Sequence, residues 1–167
     1  MEGKTEKFIE ELKRVDAQVF VLTERELNEK LRDFLNSRGI NSVYLKKEGI
    51  SFELNLGDDI KVYYEFKEGI PVGITEENFG IAYSGGLVEF AENAEDKQPS
   101  LLPDIHIAIL REKNIVEDIS DFFERIEWVL QDIDITFIVG PSKTADIEKI
   151  LVKGAHGPRE LVVFIVR

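Results

Sequence analysis

The chain has 167 residues, a formal net charge of -12 from 33 acidic and 21 basic side chains, no cysteine, and two histidines, His106 and His156. Without cysteine it cannot supply a disulfide, a thiolate nucleophile, a thiolate zinc site or the ligands of an iron-sulfur cluster, and two histidines are too few for a His-rich metal centre. The dispersed negative charge argues against nucleic acid and anionic membranes as partners.

The length suits one domain, residues 1–167, with a real hydrophobic core. The amino terminus lacks the apolar segment and cleavage site of a signal peptide, and no run approaches ~20 apolar residues, so a cytoplasmic protein is expected. Phe8, Ile9, Leu12 and Val15 recur at helical spacing over residues 5–15, and residues 17–22 read as a strand. Thr23 with Glu26 three residues on predicts a capped helix over residues 24–37, whose inward face is Leu27, Leu31, Phe34 and Leu35, and Gly39 ends it. A second strand is predicted at 42–45, the sequence through Asp59 is mostly loop, and residues 60–66 and 72–74 are short apolar pieces. Residues 79–83 and 87–91 flank Ser84-Gly-Gly86, short enough for a tight antiparallel connection. A polar loop over 92–100 leads through Pro103 to a strand at 105–110, in which alternation sets His106 opposite Ile105 and Ile107. A helix over 118–131, capped by Asp118 or Ser120, a strand at 135–139, a short helix around 145–150 and a strand at 161–166 complete the chain. This alternation predicts the α/β class.

Several segments offer chemistry. Gly140-Pro-Ser-Lys-Thr144 resembles the end of a phosphate loop but lacks the earlier glycine. Ser142, Lys143 and Thr144 could still hold a phosphate or carboxylate at the following helix start, or simply form a capped turn. His156, between Gly154 and Gly157-Pro158, is the candidate general acid or base, and the neighbouring Arg159 could clamp a carboxylate. The alternative is a histidine fixing a turn and an arginine in an ion pair. His106 reads as a structural hydrogen-bonding residue or a site-edge residue. Ser84, Gly85 and Gly86 could bring backbone N–H groups to a ligand, with Tyr83 at the edge, although hairpin geometry explains the glycines as well. Glu89, Glu92, Glu95, Asp96 and Asp104 lie near the polar edge, and none is singled out as a catalytic acid. The sequence names no metal set and no cofactor.

Val72-Gly-Ile-Thr75, Gly80-Ile-Ala-Tyr-Ser-Gly-Gly-Leu-Val88, Ser100-Leu-Leu-Pro-Asp-Ile-His-Ile-Ala108, Gly140-Pro-Ser-Lys-Thr-Ala-Asp-Ile-Glu148 and Gly154-Ala-His-Gly-Pro-Arg-Glu-Leu161 follow one another as in the LUD domain family, which the chain resembles most over residues 60–167. That family includes the C subunit of the bacterial lactate utilization system. The resemblance implies a three-layer α/β/α fold like the NagB/RpiA/CoA-transferase group, with a mainly parallel sheet and a small antiparallel addition. It also implies a non-redox role in L-lactate oxidation beside iron-sulfur subunits, with a small anionic metabolite as ligand. Many members read Ile-Ala-Glu-Thr-Gly-Thr where this chain has Ile81-Ala-Tyr-Ser-Gly-Gly86, so Tyr83 stands in place of a common carboxylate. The rival expectations are a stand-alone transferase, isomerase or hydrolase acting on a phosphorylated or CoA-linked substrate, and a non-catalytic structural binding module. Homodimerisation is the default expectation for the architecture.

Overall fold

The computed structural model describes residues 3–46, 48–126, 132–142 and 157–167. In chain order, helix α1 is Lys4–Arg14, strand β1 Gln18–Leu22, helix α2 Glu24–Ser37, β2 Ser42–Leu45, β3 Lys61–Tyr63, β4 Val72–Glu76, β5 Phe79–Ile81 and β6 Gly86–Ala91. Helix α3 is Gln98–Leu101, β7 Ile105–Arg111, β8 Ile115–Val116, helix α4 Ile119–Ile126, β9 Asp134–Ile138 and β10 Glu160–Val166.

Six strands form a parallel sheet in the order β1-β10-β7-β4-β2-β3. The central strands β7 and β10 are buried on both faces, which is why Ile105–Arg111 and Glu160–Val166 are almost continuously apolar. One face packs Val43, Val72, Ile74, Ile107, Ile109, Val162 and Phe164 against the apolar stripe of α2 and against Phe52, Leu56 and Ile60. The other sets Ala108, Leu110, Leu161, Val163 and Ile165 against Phe8 and Leu12 of α1 and against Leu87 and Ile115.

The chain thus has the expected α/β class and a mainly parallel sheet with helices on both sides. The antiparallel addition is a four-stranded sheet, β8-β5-β6-β9, forming a layer of its own. Its inner side covers the parallel sheet. Its outer side packs Ile81, Val88 and Val116 on Phe122 and Ile126 of α4.

Local chemistry explains the element ends. The Thr23 backbone N–H and hydroxyl both donate to the Glu26 carboxylate, at 3.0 and 2.9 Å, and these bonds hold that carboxyl below its usual pKa. Thr23→Ala is therefore expected to lower the midpoint of thermal unfolding by a few degrees, read by circular dichroism, because the first turn loses its cap. Asp118 Oδ1 accepts the Asp121 N–H at 2.8 Å and so starts α4, as the sequence predicts. The later residues of the predicted 118–131 helix, and the helix around 145–150, lie outside the described residues.

Two expectations change. Of the apolar piece at 60–66 only Lys61–Tyr63 is strand, and it pairs on one side alone, with Ser42–Tyr44 of β2. The loop predicted over 92–100 is partly helical: Asn93 Oδ1 caps a 3-10 turn at Ala94–Lys97, which runs into α3 with Pro99 in its first turn. That short helix lies on β4, and it matters for the site. Among the described residues no helix is long and apolar enough to cross a membrane.

Candidate functional site

In an open parallel sheet, ligands bind beyond the carboxyl ends of neighbouring strands whose connections leave in opposite directions. Here β2 continues outward to β3, at the sheet's edge, while its neighbour β4 continues the other way to β7. The crevice between the ends of β2 and β4 is that point. Lys46 follows β2 there, and Glu76, Glu77 and Asn78 end and follow β4.

A cavity of about 410 Å³ occupies the crevice, lined by Lys46, Glu76, Asn78, Glu89, Glu92 and Asp96 among others. A second cavity of about 470 Å³ shares Lys46, Glu48 and Asp96 with it and extends toward Tyr44, Tyr64 and Phe66. The rim is organised by hydrogen bonds. Ser51 donates its backbone N–H and its hydroxyl to Glu76 Oε1, each at 2.7 Å, and Arg111 donates to the Ser51 hydroxyl at 2.9 Å. Lys46 Nζ stands 3.6 Å from Asp96 and is the cationic side chain among the described lining residues.

Behind the cavity lies a buried polar cluster. Thr75 shares a face of β4 with Gly73, and Gly73 pairs in register with His106 of β7, so the threonine and histidine side chains meet on that face. Thr75 Oγ1 is 2.5 Å from Glu77 Oε1 and 2.7 Å from His106 Nε2, and His106 Nε2 is 3.5 Å from Glu77 Oε1. A hydroxyl has one proton to give. When Thr75 donates to a Glu77 carboxylate, His106 must donate Nε2–H to Thr75, which fixes that nitrogen as protonated.

Glu89 completes the cluster from β6. It shares its side of the strand with Leu87 and Ala91 and is 3% exposed. Burial pushes its pKa up to about 8, the Glu77 charge adds to the rise, and the Ser100 hydroxyl with the charges of Lys46 and Lys97 opposes it. Glu89 is therefore mostly protonated at neutral pH. One oxygen of each carboxyl group, Glu77 Oε2 and Glu89 Oε2, has no hydrogen-bond partner among the described residues. Of the two residues, Glu89 lines the crevice cavity, and a buried carboxyl oxygen without a partner on a cavity-lining residue is where a ligand donor or acceptor gains most.

Gly73 sets the roof of this cluster. A Cβ at that position would come 1.7 Å from the Pro99 carbonyl oxygen, so α3 rests directly on the β4 backbone and carries the buried Ser100 toward Glu89.

The residues expected from sequence are distributed as follows. His106 is in the buried cluster, 1% exposed. Ser84 Oγ accepts the Gly86 N–H at 3.1 Å, closing the β5–β6 turn. Gly85 has φ +70°, and a Cβ there would lie 2.9 Å from the backbone of Glu11 and Leu12, so the turn is seated on α1. Tyr83 is 75% exposed, and its backbone N–H donates to the Glu117 carbonyl at 2.9 Å. The Ser142 N–H donates to the Pro158 carbonyl at 2.7 Å, and the Arg159 N–H to that of Asp104 at 2.8 Å. Pro158, Arg159 and Asp104 precede β10 and β7, so this pair of loops meets at the amino edge of the parallel sheet, opposite the crevice. Lys143, Thr144 and His156 lie outside the described residues.

The sequence assigns no site role to Lys46, Thr75 or Glu77 and sets Glu89 among the acids of the polar edge, yet Glu89 is a buried strand residue. The legible signal was its alternation with Leu87 and Ala91, which sets a carboxyl group on an apolar face.

Comparison with known proteins agrees with this architecture. The LUD domain family model matches residues 5–166, and the chain belongs to that family. Similar curated proteins include the uncharacterized protein YkgG of Escherichia coli, 36% identical over 104 residues, covering 59% of this chain and 45% of that protein. Lactate utilization protein C of a Geobacillus strain is 37% identical over 107 residues, covering 61% and 44%. Lactate utilization protein C 1 of Bacillus mycoides is 32% identical over 140 residues, covering 78% and 58%. The chain thus spans about half the length of the curated relatives it matches. A crystal structure of a DUF162 family protein from Deinococcus radiodurans has the same fold, with a TM-score of 0.77 over 100% of both chains at 20% identity.

Proposed function

We propose that the chain binds a small carboxylate metabolite of the hydroxy-acid or oxo-acid class in the β2/β4 crevice, and that Glu89 exchanges a proton with its hydroxyl or carbonyl oxygen. The observation that carries this reading is the buried Glu89 carboxyl group, with an unpartnered oxygen, in the wall of the crevice cavity. Lys46 would take the ligand carboxylate in exchange for Asp96, and the protonated Glu89 would donate to the oxygen beside it.

Charge decides between ligand classes. Glu48, Glu76, Glu89, Glu92 and Asp96 line the cavity with Lys46. A single carboxylate can be met by one ammonium group, whereas a phosphate ester or CoA thioester would bring several negative charges against these acids. The phosphorylated or CoA-linked alternative is disfavoured on that ground, and a purely structural module leaves the unpartnered carboxyl oxygens unexplained.

The relatives named for lactate utilization support a setting in lactate metabolism, and the wider setting proposed here is a cytoplasmic lactate-oxidising assembly. In it this chain would handle the substrate and its hydroxyl proton, while iron-sulfur subunits accept the electrons. The chain's lack of cysteine suits that division of work.

Calorimetric titration with L-lactate and pyruvate, against CoA and a sugar phosphate, tests the proposal. Saturable binding of a hydroxy or oxo acid is expected, weakened about tenfold or more in Lys46→Met, the equivalent of one charge-assisted hydrogen bond. Binding of CoA or the sugar phosphate alone would contradict it, as would affinity for the small acids that Lys46→Met leaves intact.

A further inference from the structure

We propose that Asn78 makes the crevice selective for acids that carry an oxygen on the carbon beside the carboxylate, because its side-chain amide donates to that oxygen next to Glu89. The inference rests on the reading of the crevice as a hydroxy-acid or oxo-acid site and adds the group that tells such an acid from a plain carboxylate.

Hydrogen bonds to the backbone of β6 fix where the amide points. Asn78 lies between β4 and β5, its N–H donates to the Val88 carbonyl at 2.8 Å, and its Oδ1 accepts the Phe90 N–H at 2.9 Å. The residue is thus tied to the strand on both sides of Glu89. The Phe90 N–H needs an acceptor, so the amide oxygen takes that side and Nδ2 takes the other. Nδ2 carries two N–H donors and has no hydrogen-bond partner among the described residues, and it is not one of the buried unpartnered atoms, which are Glu77 Oε2 and Glu89 Oε2. Asn78 is half-buried and lines the crevice cavity together with Glu89, so a donor without a partner opens on the space beside that carboxyl group.

Chemistry selects what this donor can serve. Glu48, Glu76, Glu92 and Asp96 surround the cavity with acceptors, and Lys46, as one ammonium group, matches one carboxylate. A second oxygen on the ligand needs a donor that adds no charge, and a carbonyl or hydroxyl oxygen has a lone pair that accepts from an amide N–H. Asn93, the other amide side chain in the described lining, is exposed and accepts the Asp96 N–H to hold the 3-10 turn. Asn78 and Glu89 therefore meet the same ligand oxygen from two sides. An acid without that oxygen leaves both groups unsatisfied, which is how a polar site rejects an analogue that lacks the group it was built to hold.

The test compares pyruvate with propionate, which has the same charge and a methylene group in place of the carbonyl. Calorimetry on the full chain is expected to show tighter binding of pyruvate. Asn78→Asp keeps an oxygen for the Phe90 N–H and replaces the outward donor with an acceptor. Its charge repels both acids alike, so the ratio of the two affinities reads the lost hydrogen bond, and that ratio should fall about fivefold or more. Equal weakening of both acids would overturn the inference and leave the crevice reading standing. A ratio that falls in Asn78→Asp, with affinities that Lys46→Met leaves intact, would keep Asn78 and sink the role given to Lys46. If neither acid binds, both readings fail. If Asn78→Asp does not fold, the side-chain amide signal of Asn78 in the unsubstituted chain, assigned by triple-resonance NMR, decides. Pyruvate should shift that signal and propionate at equal occupancy should not, and a signal that responds equally to both, or to neither, would overturn the inference.

Discussion

Gly73→Ala is expected to destabilise the protein by about 3 kcal/mol or more, toward the upper end of what overpacking a core costs. The new methyl carbon would sit 1.7 Å from the Pro99 carbonyl oxygen and 3.0 Å from the Pro103 ring, and the nearest obstacle is backbone, which cannot rotate away as a side chain can. Relief requires α3 to lift from β4. That movement takes Ser100 away from Glu89 and opens the roof over Thr75 and His106, so ligand affinity should fall with stability. Urea unfolding followed by circular dichroism gives the first quantity, and calorimetry on whatever fraction remains folded gives the second. Gly39→Ala is the informative comparison. Its φ of +66° also disfavours a side chain, but a Cβ there meets no atom within 4 Å, so the cost should be the backbone strain alone.

The second large effect is on pH. A carboxyl group whose pKa rises from 4.5 in the unfolded chain to about 8 in the folded one binds a proton that the unfolded chain lacks between those values. Folding stability contributed by Glu89 is therefore greatest at low pH, falls as pH climbs through that window, and levels off above it. The slope is at most about 1.4 kcal/mol per pH unit, and the whole loss is on the order of 3–5 kcal/mol. Glu89→Gln keeps the size of the side chain and cannot ionise. Its stability should exceed that of the unsubstituted protein at pH 9 and approach it at pH 5. Urea midpoints at the two pH values measure this directly, and the difference between the proteins removes the pH dependence of the other acids. The same substitution should abolish proton exchange with a bound hydroxy acid, so that added stability accompanies lost function.

Much of the frame was legible because it rests on local rules. The Thr23–Glu26 box, the α2 stripe, the Ser84-Gly-Gly86 connection and the alternation of His106 against Ile105 and Ile107 all depend on residues a few positions apart. The crevice was not legible for the opposite reason. Lys46 follows β2, Glu77 follows β4 and Glu89 lies on β6, and their meeting depends on strand order and on a second sheet folded over the first. Glu89 looked like one of many surface acids in a chain with 33 of them, and only its neighbours Leu87 and Ala91 marked it as buried. The polar motif around Ser142 and Arg159 stands out in the sequence by its composition. Its described part lies at the amino edge of the parallel sheet, where strand ends do not form the usual ligand crevice.

The proposed proton exchange requires Glu89 to be a neutral, proton-bearing group at physiological pH in the wall of the crevice. Its carboxyl carbon, assigned by comparison with Glu89→Gln and followed by 13C NMR as pH is raised, reports that state without any ligand. A midpoint close to 8 is the predicted result. A midpoint in the ordinary glutamate range, near 4.5, would contradict it and leave the crevice with an ionised acid that could not donate the proton.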